Sequence, residues 1–149
     1  MEEREGVFNL VRRAIGDEWL ANIQYSVGAV LIDDENEDAV LEFVEHAGDE
    51  WDHAMNLSAW LQDASGSGGI PRSPTEILKN QTCGYIYPSG NSRWSLVHEA
   101  IRAETCAIGF YQDLIKGISG TNFHWEGLGD ILDQILEKEK EHLRDLEKL

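Results

Sequence analysis

Hydrophobic residues recur at steps of three and four along four long segments of the chain. This period is typical of amphipathic helices that bury one face. We therefore predict an all-α fold with long helices over residues of about 3–32, 37–63, 91–118 and 122–148. Either Thr121 or Asn122 is expected to be the N-cap of the fourth helix, because both side chains are good helix caps.

The connections between these helices predict how they pack. The outer two are short, whereas the central one covers residues 64–90 and contains all three prolines. Ser73-Pro74-Thr75-Glu76 is typical of a helix start, so we expect a short helix through Ile77 and Leu78 within this crossover. A short, a long and a short connection together predict a four-helix bundle of two antiparallel hairpins.

Length, composition and charge narrow the class of protein. A chain of 149 residues with 42% hydrophobic and 27% charged residues is expected to form one globular domain. Its net charge of −16 disfavours nucleic acid as a partner. The longest apolar run, around Val27 to Ile32, is far too short to cross a membrane. The N-terminal residues do not resemble a signal peptide, so we expect a cytoplasmic protein.

Acidic residues are concentrated in the first half of the chain. No lysine or arginine occurs from Ala14 to Pro71, although this span contains many aspartates and glutamates. Two interpretations remain open at this point. The acidic surface could only keep the protein in solution, or it could also guide cations towards a site.

Each predicted long helix has one glutamate on its hydrophobic stripe. A buried carboxylate normally neutralises, pairs with a cation or binds a metal. Two of these glutamates are followed three residues later by a histidine, a spacing that lets both side chains reach one metal. Glu99 competes with Glu104 in the third helix, but it points to a different face. The pattern is that of dimetal carboxylate proteins, and the predicted ligands are Glu18, Glu50, His53, Glu104, Glu139 and His142.

A second spacing relates the two halves of the chain. Glu18 precedes Tyr25 by seven residues, and Glu104 precedes Tyr111 by seven. Seven residues are nearly two helical turns, so each glutamate shares a face with its tyrosine. The match indicates two related hairpins, or it is a coincidence within amphipathic helices.

With these residues the chain resembles the ferritin-like superfamily, in particular the bacterioferritin-type site and the Dps-like proteins with two cysteines called thioferritins. The resemblance implies a ferritin-like four-helix bundle in which Glu50 and Glu139 bridge two metal ions. The other four predicted ligands would then each bind one ion. Tyr25 would lie beside a bridging carboxylate, with packing in the core as the alternative.

The same resemblance implies a function. A family member binds two iron ions per subunit, oxidises Fe(II) with hydrogen peroxide or dioxygen, and stores the ferric product in a homo-oligomeric shell. Manganese or zinc at the site remains possible. Trp51 stands where bacterioferritins have a haem-ligating methionine, so no haem is expected. No further helix follows the fourth, which favours a dodecameric shell over a larger one. The alternatives are a dimetal enzyme without storage, such as a peroxidase or a manganese catalase-like protein, and a purely structural bundle.

Other residues that could have a functional role fit this pattern less directly. Cys83 in the crossover and Cys106 in the third helix match the cysteine pair in rough placement. They form either a redox-active pair or two unrelated thiols. The histidines outside the two motifs are expected to be surface or packing residues, and the tryptophans are expected to pack, with two of them screening the site. These residues are His46, His98, His124, Trp19, Trp51, Trp60, Trp94 and Trp125.

Overall fold

The computed structural model describes residues 2–32, 35, 37–66, 69–86, 90, 92–122 and 125–149. Within these residues the chain forms helices and no strands, which confirms the all-α prediction. Four helices are long and one, in the crossover, is short. In chain order they are α1 (Glu2–Leu31), α2 (Glu37–Ser65), α3 (Pro74–Lys79), α4 (Arg93–Ser119) and α5 (Leu128–Glu147).

Helices α1 and α2 form an antiparallel hairpin. Phe8, near the start of α1, packs edge to face on Trp60 near the end of α2, with ring centroids 6.2 Å apart. Further along α1, Asn22 donates a hydrogen bond to the carbonyl oxygen of Ala47 at 2.7 Å. Gly28 lies against Phe43, so closely that a Cβ at residue 28 would come within 2.7 Å of the ring. As numbers rise along α1 they therefore fall along α2.

The crossover is fastened to α1 by specific contacts. Ser73 is the N-cap of α3 and its side chain accepts a hydrogen bond from the N–H of Glu76. Helix α3 approaches α1 at Gly16, where an added Cβ would lie 2.7 Å from the carbonyl oxygen of Asn80. Asp17 of α1 accepts hydrogen bonds from two backbone N–H groups later in the crossover, that of Thr82 at 2.8 Å and that of Cys83 at 3.1 Å. The long connection therefore lies along α1.

The predicted start of the fourth helix is wrong. Helix α5 begins at Leu128, after Gly127 with a left-handed φ of 78°. Thr121 does not act as an N-cap, because its hydroxyl donates to the carbonyl oxygen of Ile118 at 2.8 Å and accepts from Nε1 of Trp125 at 2.7 Å. Thr121 thus closes the turn after α4, and glycine supplies the left-handed residue from which the helix starts.

Two hydrophobic clusters fill the bundle at different heights. The proximal core comprises Val7, Phe8, Val11, Ala14, Ile15, Leu57, Leu61, Ala107, Tyr111, Leu114, Leu128, Leu132 and Ile135. The distal core comprises Tyr25, Ile32, Ala39, Phe43, Ala47, Leu96, Val97, Ala100 and Leu146. Along each long helix the two cores are separated by a short interval, and the predicted ligands fall in these intervals. None of the described helices is both long and apolar enough to cross a membrane.

Candidate metal centre

The six predicted ligands meet in one buried layer between the two cores. Their ligand atoms form two overlapping groups, and within each group the atoms lie within 4.8 Å of one another. The first group is Glu18, Glu50, His53 and Glu139, and the second is Glu50, Glu104, Glu139 and His142. Glu50 and Glu139 belong to both groups, so they alone of the six are placed to contact two ions at once.

Distances around His53 define the first group. Its Nδ1 lies 3.0 Å from Oε1 of Glu139, 3.4 Å from Oε2 of Glu18 and 3.7 Å from Oε1 of Glu50. Two ligand atoms that each lie about 2.1 Å from one ion are separated by roughly 3.0 to 3.4 Å in octahedral or tetrahedral geometry. The ligand atoms of the first group therefore need to move only slightly to surround one ion.

The second group is arranged in the same way around His142. Its Nδ1 lies 3.1 Å from Oε1 of Glu50, 3.3 Å from Oε1 of Glu104 and 3.7 Å from Oε2 of Glu139. The rings of the two histidines are nearly parallel, at 26°, with centroids 6.4 Å apart. Each histidine therefore serves its own group, while the shared carboxylates lie between them.

The buried layer contains polar atoms that no protein group satisfies. Burying such an atom without a partner costs about 1 to 3 kcal/mol, and more when it is charged. Carboxylate oxygens and imidazole nitrogens suit divalent manganese, iron or zinc, so the residues present fit a pair of such ions. The buried atoms without a hydrogen-bond partner are Glu18 Oε2, Glu50 Oε1, His53 Nδ1, Glu104 Oε2 and both carboxylate oxygens of Glu139.

The concentration of negative charge changes the proton affinity of the metal-free layer. Burial, followed by the charge of Glu139, raises the pKa of Glu50 and of Glu104 well above the usual range. Burial by itself disfavours a protonated His53, but its carboxylate neighbours, Glu18 foremost, raise its pKa to about 10. Protons therefore take the place of a counter-charge when no metal is bound, and a bound metal must displace them.

Two tyrosines hold the terminal glutamates from opposite helices. Tyr25 of α1 donates a hydrogen bond to Oε1 of Glu104 on α4, and Tyr111 of α4 donates to Oε1 of Glu18 on α1, both at 2.5 Å. The reciprocal pattern agrees with the seven-residue spacing in both halves and shows that α1 and α4 are antiparallel. Tyr25 thus contacts a carboxylate of one group only, whereas the resemblance implied a place beside a bridging carboxylate.

Asp49 is a site residue that the sequence did not reveal. Its Oδ2 lies 2.9 Å from Nε2 of His142. That contact lowers the pKa of Asp49 and turns Nδ1 of the ring towards the second group. A carboxylate behind a metal-binding histidine commonly orients the ring in this way. The only signal in the sequence was its position next to Glu50, which many aspartates of this acidic chain share.

His46 was expected to be a surface or packing residue, and it is buried beside the centre. Its ring stacks on that of His142, with centroids 3.9 Å apart and 19° between the planes. A signal was present in the sequence, because His46, Glu50 and His53 follow the i, i+4, i+7 spacing of one helix face. His98 is exposed, and His124 lies outside the described residues.

The remaining candidates lie around the two groups and not within them. Glu99 pairs with Arg102 at 2.6 Å, so Glu104 is the glutamate of α4 that enters the layer. Cys83 and Cys106 form a disulfide with a Cα–Cα distance of 5.8 Å, and the alternative of two unrelated thiols is therefore wrong. Arg102 also donates to the carbonyl oxygen of Cys83 at 3.0 Å, which holds the crossover against α4.

Two tryptophans next to predicted ligands contact each other. The rings of Trp19 and Trp51 meet edge to face with centroids 6.3 Å apart. Trp51 is 47% exposed. On the α2–α5 side, a groove of about 590 Å³ reaches His142 and Asp49.

Comparison with solved structures agrees with this geometry. A dodecameric thioferritin, the bacterioferritin-related protein of Bacteroides fragilis, is 29% identical, with a TM-score of 0.87 over 97% of this chain and 84% of that one. A ferritin-like, diiron-carboxylate protein of Bacillus anthracis str. Ames is 17% identical, with a TM-score of 0.81 over 99% of this chain and 97% of that one. The chain belongs to the ferritin-like superfamily.

No family model matches this ferritin-like chain, and no curated protein matches it either. Its membership therefore depends on the fold and on the buried carboxylate and histidine layer. The layer supports a dimetal site in a ferritin-like protein.

Proposed function

We propose that this ferritin-like chain is a ferroxidase that stores and detoxifies iron. The observation that carries the proposal is the sharing of Glu50 and Glu139 between two ligand groups, which would hold two Fe(II) ions side by side. Together two Fe(II) ions would supply two electrons, which reduce one hydrogen peroxide; with the uptake of two protons this gives two molecules of water and two Fe(III) ions. Oxidation in pairs avoids the radical that a single electron would produce, and dioxygen is the alternative oxidant.

In this proposal Glu50 and Glu139 bridge the two ions. Glu18 and His53 bind one ion only, and Glu104 and His142 bind the other. Two iron ions per subunit are proposed, although the same ligands suit manganese or zinc. Haem has no part in the proposal.

The surrounding residues would keep the ligands in place. Tyr25 and Tyr111 each hold Oε1 of a terminal glutamate. In Glu18 the other oxygen, Oε2, approaches His53 at 3.4 Å, whereas in Glu104 the held oxygen itself lies 3.3 Å from Nδ1 of His142. Asp49 orients His142 through its second ring nitrogen. The proximal and distal cores exclude water above and below the layer, which strengthens electrostatic interactions inside it.

Storage requires several chains to enclose a space, and we propose a homo-oligomeric, dodecameric shell. The thioferritin neighbour is described as dodecameric. Support on this chain comes from exposed apolar side chains on α1 and α2, including Val30 at 85%, Leu41 at 62% and Val44 at 54% exposure. Several large exposed apolar residues on adjoining helices are typical of an interface. Nucleic acid is not a proposed partner, because of the negative charge.

The disulfide has a proposed role as well. Cys83 and Cys106 would form a redox-active pair, with Cys106 on the helix that carries Glu104, and reduction would remove the covalent link between the crossover and α4. The cytoplasm is the proposed location, as expected from the sequence.

Single-turnover oxidation of Fe(II) tests the ferroxidase proposal. Metal-free protein receives two Fe(II) per chain and then one equivalent of peroxide, and the ferric absorbance is followed with time. We expect Glu139→Ala to abolish the fast phase. Glu141→Ala is the matched control, because this glutamate lies on the same helix with a side chain that is 52% exposed. Equal rates for Glu139→Ala and the unchanged chain would contradict the proposal.

A further inference from the structure

A third group of ligand atoms lies beside the proposed dimetal centre and shares no residue with it. Glu42 and His46 are one helical turn apart on α2, and Asp145 approaches from α5. Nε2 of His46 lies 3.3 Å from Oε2 of Glu42 and 3.9 Å from Oδ2 of Asp145. One ligand atom from each of the three residues can lie within 4.8 Å of the other two.

The histidine of this group is buried without a hydrogen-bond partner. Its side chain is 2% exposed, and neither ring nitrogen makes a hydrogen bond among the described residues. Oε2 of Glu42 is likewise buried and unsatisfied. A buried imidazole with both nitrogens unmet is costly. Binding an ion through Nε2 would remove much of that cost, so the unmet nitrogen itself indicates a ligand.

Neighbouring rings hold His46 in the orientation that metal binding needs. The ring stacks on that of His142, with centroids 3.9 Å apart, and meets the ring of Tyr25 edge to face, with centroids 5.0 Å apart. With the plane fixed on two sides, Nε2 points to the two carboxylates. The 3.3 Å from Nε2 to Glu42 is the spacing of two atoms bound to one ion at about 2.1 Å each.

The third group is also accessible and surrounded by negative charge. The groove of about 590 Å³ between α2 and α5 reaches both His46 and Asp145. Five carboxylate side chains and one lysine line this groove. That lysine, Lys138, already pairs with Glu141 at 3.2 Å. A cation approaching from solvent would therefore be attracted to the third group.

We propose that Glu42, His46 and Asp145 form a third metal site for a divalent first-row transition ion, next to the dimetal centre and open to the groove. One imidazole and two carboxylates are donors that suit zinc, manganese and Fe(II) alike. The site takes its ion directly from the groove, without passing through the buried layer. It does not depend on iron storage, because it shares no residue with the dimetal centre.

Anomalous diffraction with zinc tests the third site. Crystals of metal-free protein are soaked in Zn(II), and data are collected at the zinc absorption edge. We expect three peaks per chain, with the third in contact with Nε2 of His46 and with Glu42 and Asp145. His46→Ala should remove this peak and leave the other two. His98→Ala, which changes an exposed histidine on α4, should keep all three.

Solution binding gives an independent readout and separates this inference from the proposed function. In equilibrium dialysis Glu42→Gln should weaken the third zinc ion at least tenfold while two ions stay bound. Glu139→Ala should instead lose the two ions of the centre and keep the third. Absence of the third peak in the unchanged chain, or its retention in His46→Ala, would overturn the third site alone. Absence of the other two peaks would overturn the dimetal centre alone.

Discussion

The overlap of the two ligand groups makes a prediction about two neighbouring side chains. Glu139 belongs to both groups, whereas His53 belongs to the first only. Removing His53 should therefore eliminate one tight ion, and removing Glu139 should eliminate both. We state the prediction in the His46→Ala background, so that the third group contributes no ion.

Zinc-dependent stability gives this prediction a magnitude. An ion present at 100 times its dissociation constant stabilises the folded chain by about 2.7 kcal/mol, so two ions contribute about 5.4 kcal/mol. For 149 residues, an unfolding entropy of about 2.1 cal/mol/K per residue converts 1 kcal/mol into about 3 °C in Tm. Zinc should thus raise Tm by about 17 °C in the reference chain, by about 9 °C in His53→Ala and by nearly nothing in Glu139→Ala.

Thermal unfolding followed by circular dichroism, with and without zinc, measures these shifts. Each variant is compared with its own metal-free form, which removes the direct effect of the substitution on stability. Bound ions are counted by equilibrium dialysis, and Glu141→Ala serves as the control that should keep the full shift. Equal losses in His53→Ala and Glu139→Ala would refute the shared role of Glu139.

Three further predictions concern the supports of the centre. Tyr25→Phe and Tyr111→Phe should each lower the free energy of unfolding of the metal-free protein by about 1 to 3 kcal/mol in urea titrations, because each removes the hydrogen bond that a tyrosine donates to a buried carboxylate. Reducing the disulfide between Cys83 and Cys106, which are 23 residues apart, should cost about 3 kcal/mol in the same assay, since the unfolded chain loses a closed loop. Gly16→Ala should destabilise the protein by about 1 to 3 kcal/mol, because its Cβ would overlap the crossover backbone; an unchanged urea midpoint would contradict the close approach of α3.

The ligands could be predicted from the sequence because their position on each helix is local information. Glu50 and Glu139 interrupt hydrophobic stripes, and helical geometry alone places them on inner faces. The histidines follow at a spacing that also depends only on the helix. The connection lengths indicated that the helices form two antiparallel hairpins, and the structure brings the six residues together.

Contacts between helices were harder to predict from the sequence. Asp49 matters through the ring of His142, which is 93 residues away, and no local pattern distinguishes it from the many surface acids. The start of α5 was misplaced because Thr121 is a good cap by residue type, yet its hydroxyl is used by hydrogen bonds with Ile118 and Trp125 in the turn after α4. The partners of the ligands depend on packing between helices, and helix ends depend on hydrogen bonds within the turns; the spacing of hydrophobic residues encodes neither.

The central claim is that this chain oxidises Fe(II) at the buried layer and retains the product. The most direct test gives metal-free protein an excess of Fe(II) and peroxide, passes it through a sizing column and counts ferric ions per chain. We expect tens of ions or more per chain, in a particle much larger than one subunit. One or two ions per chain would contradict storage and indicate a dimetal enzyme. No bound ions at all would contradict the metal centre itself.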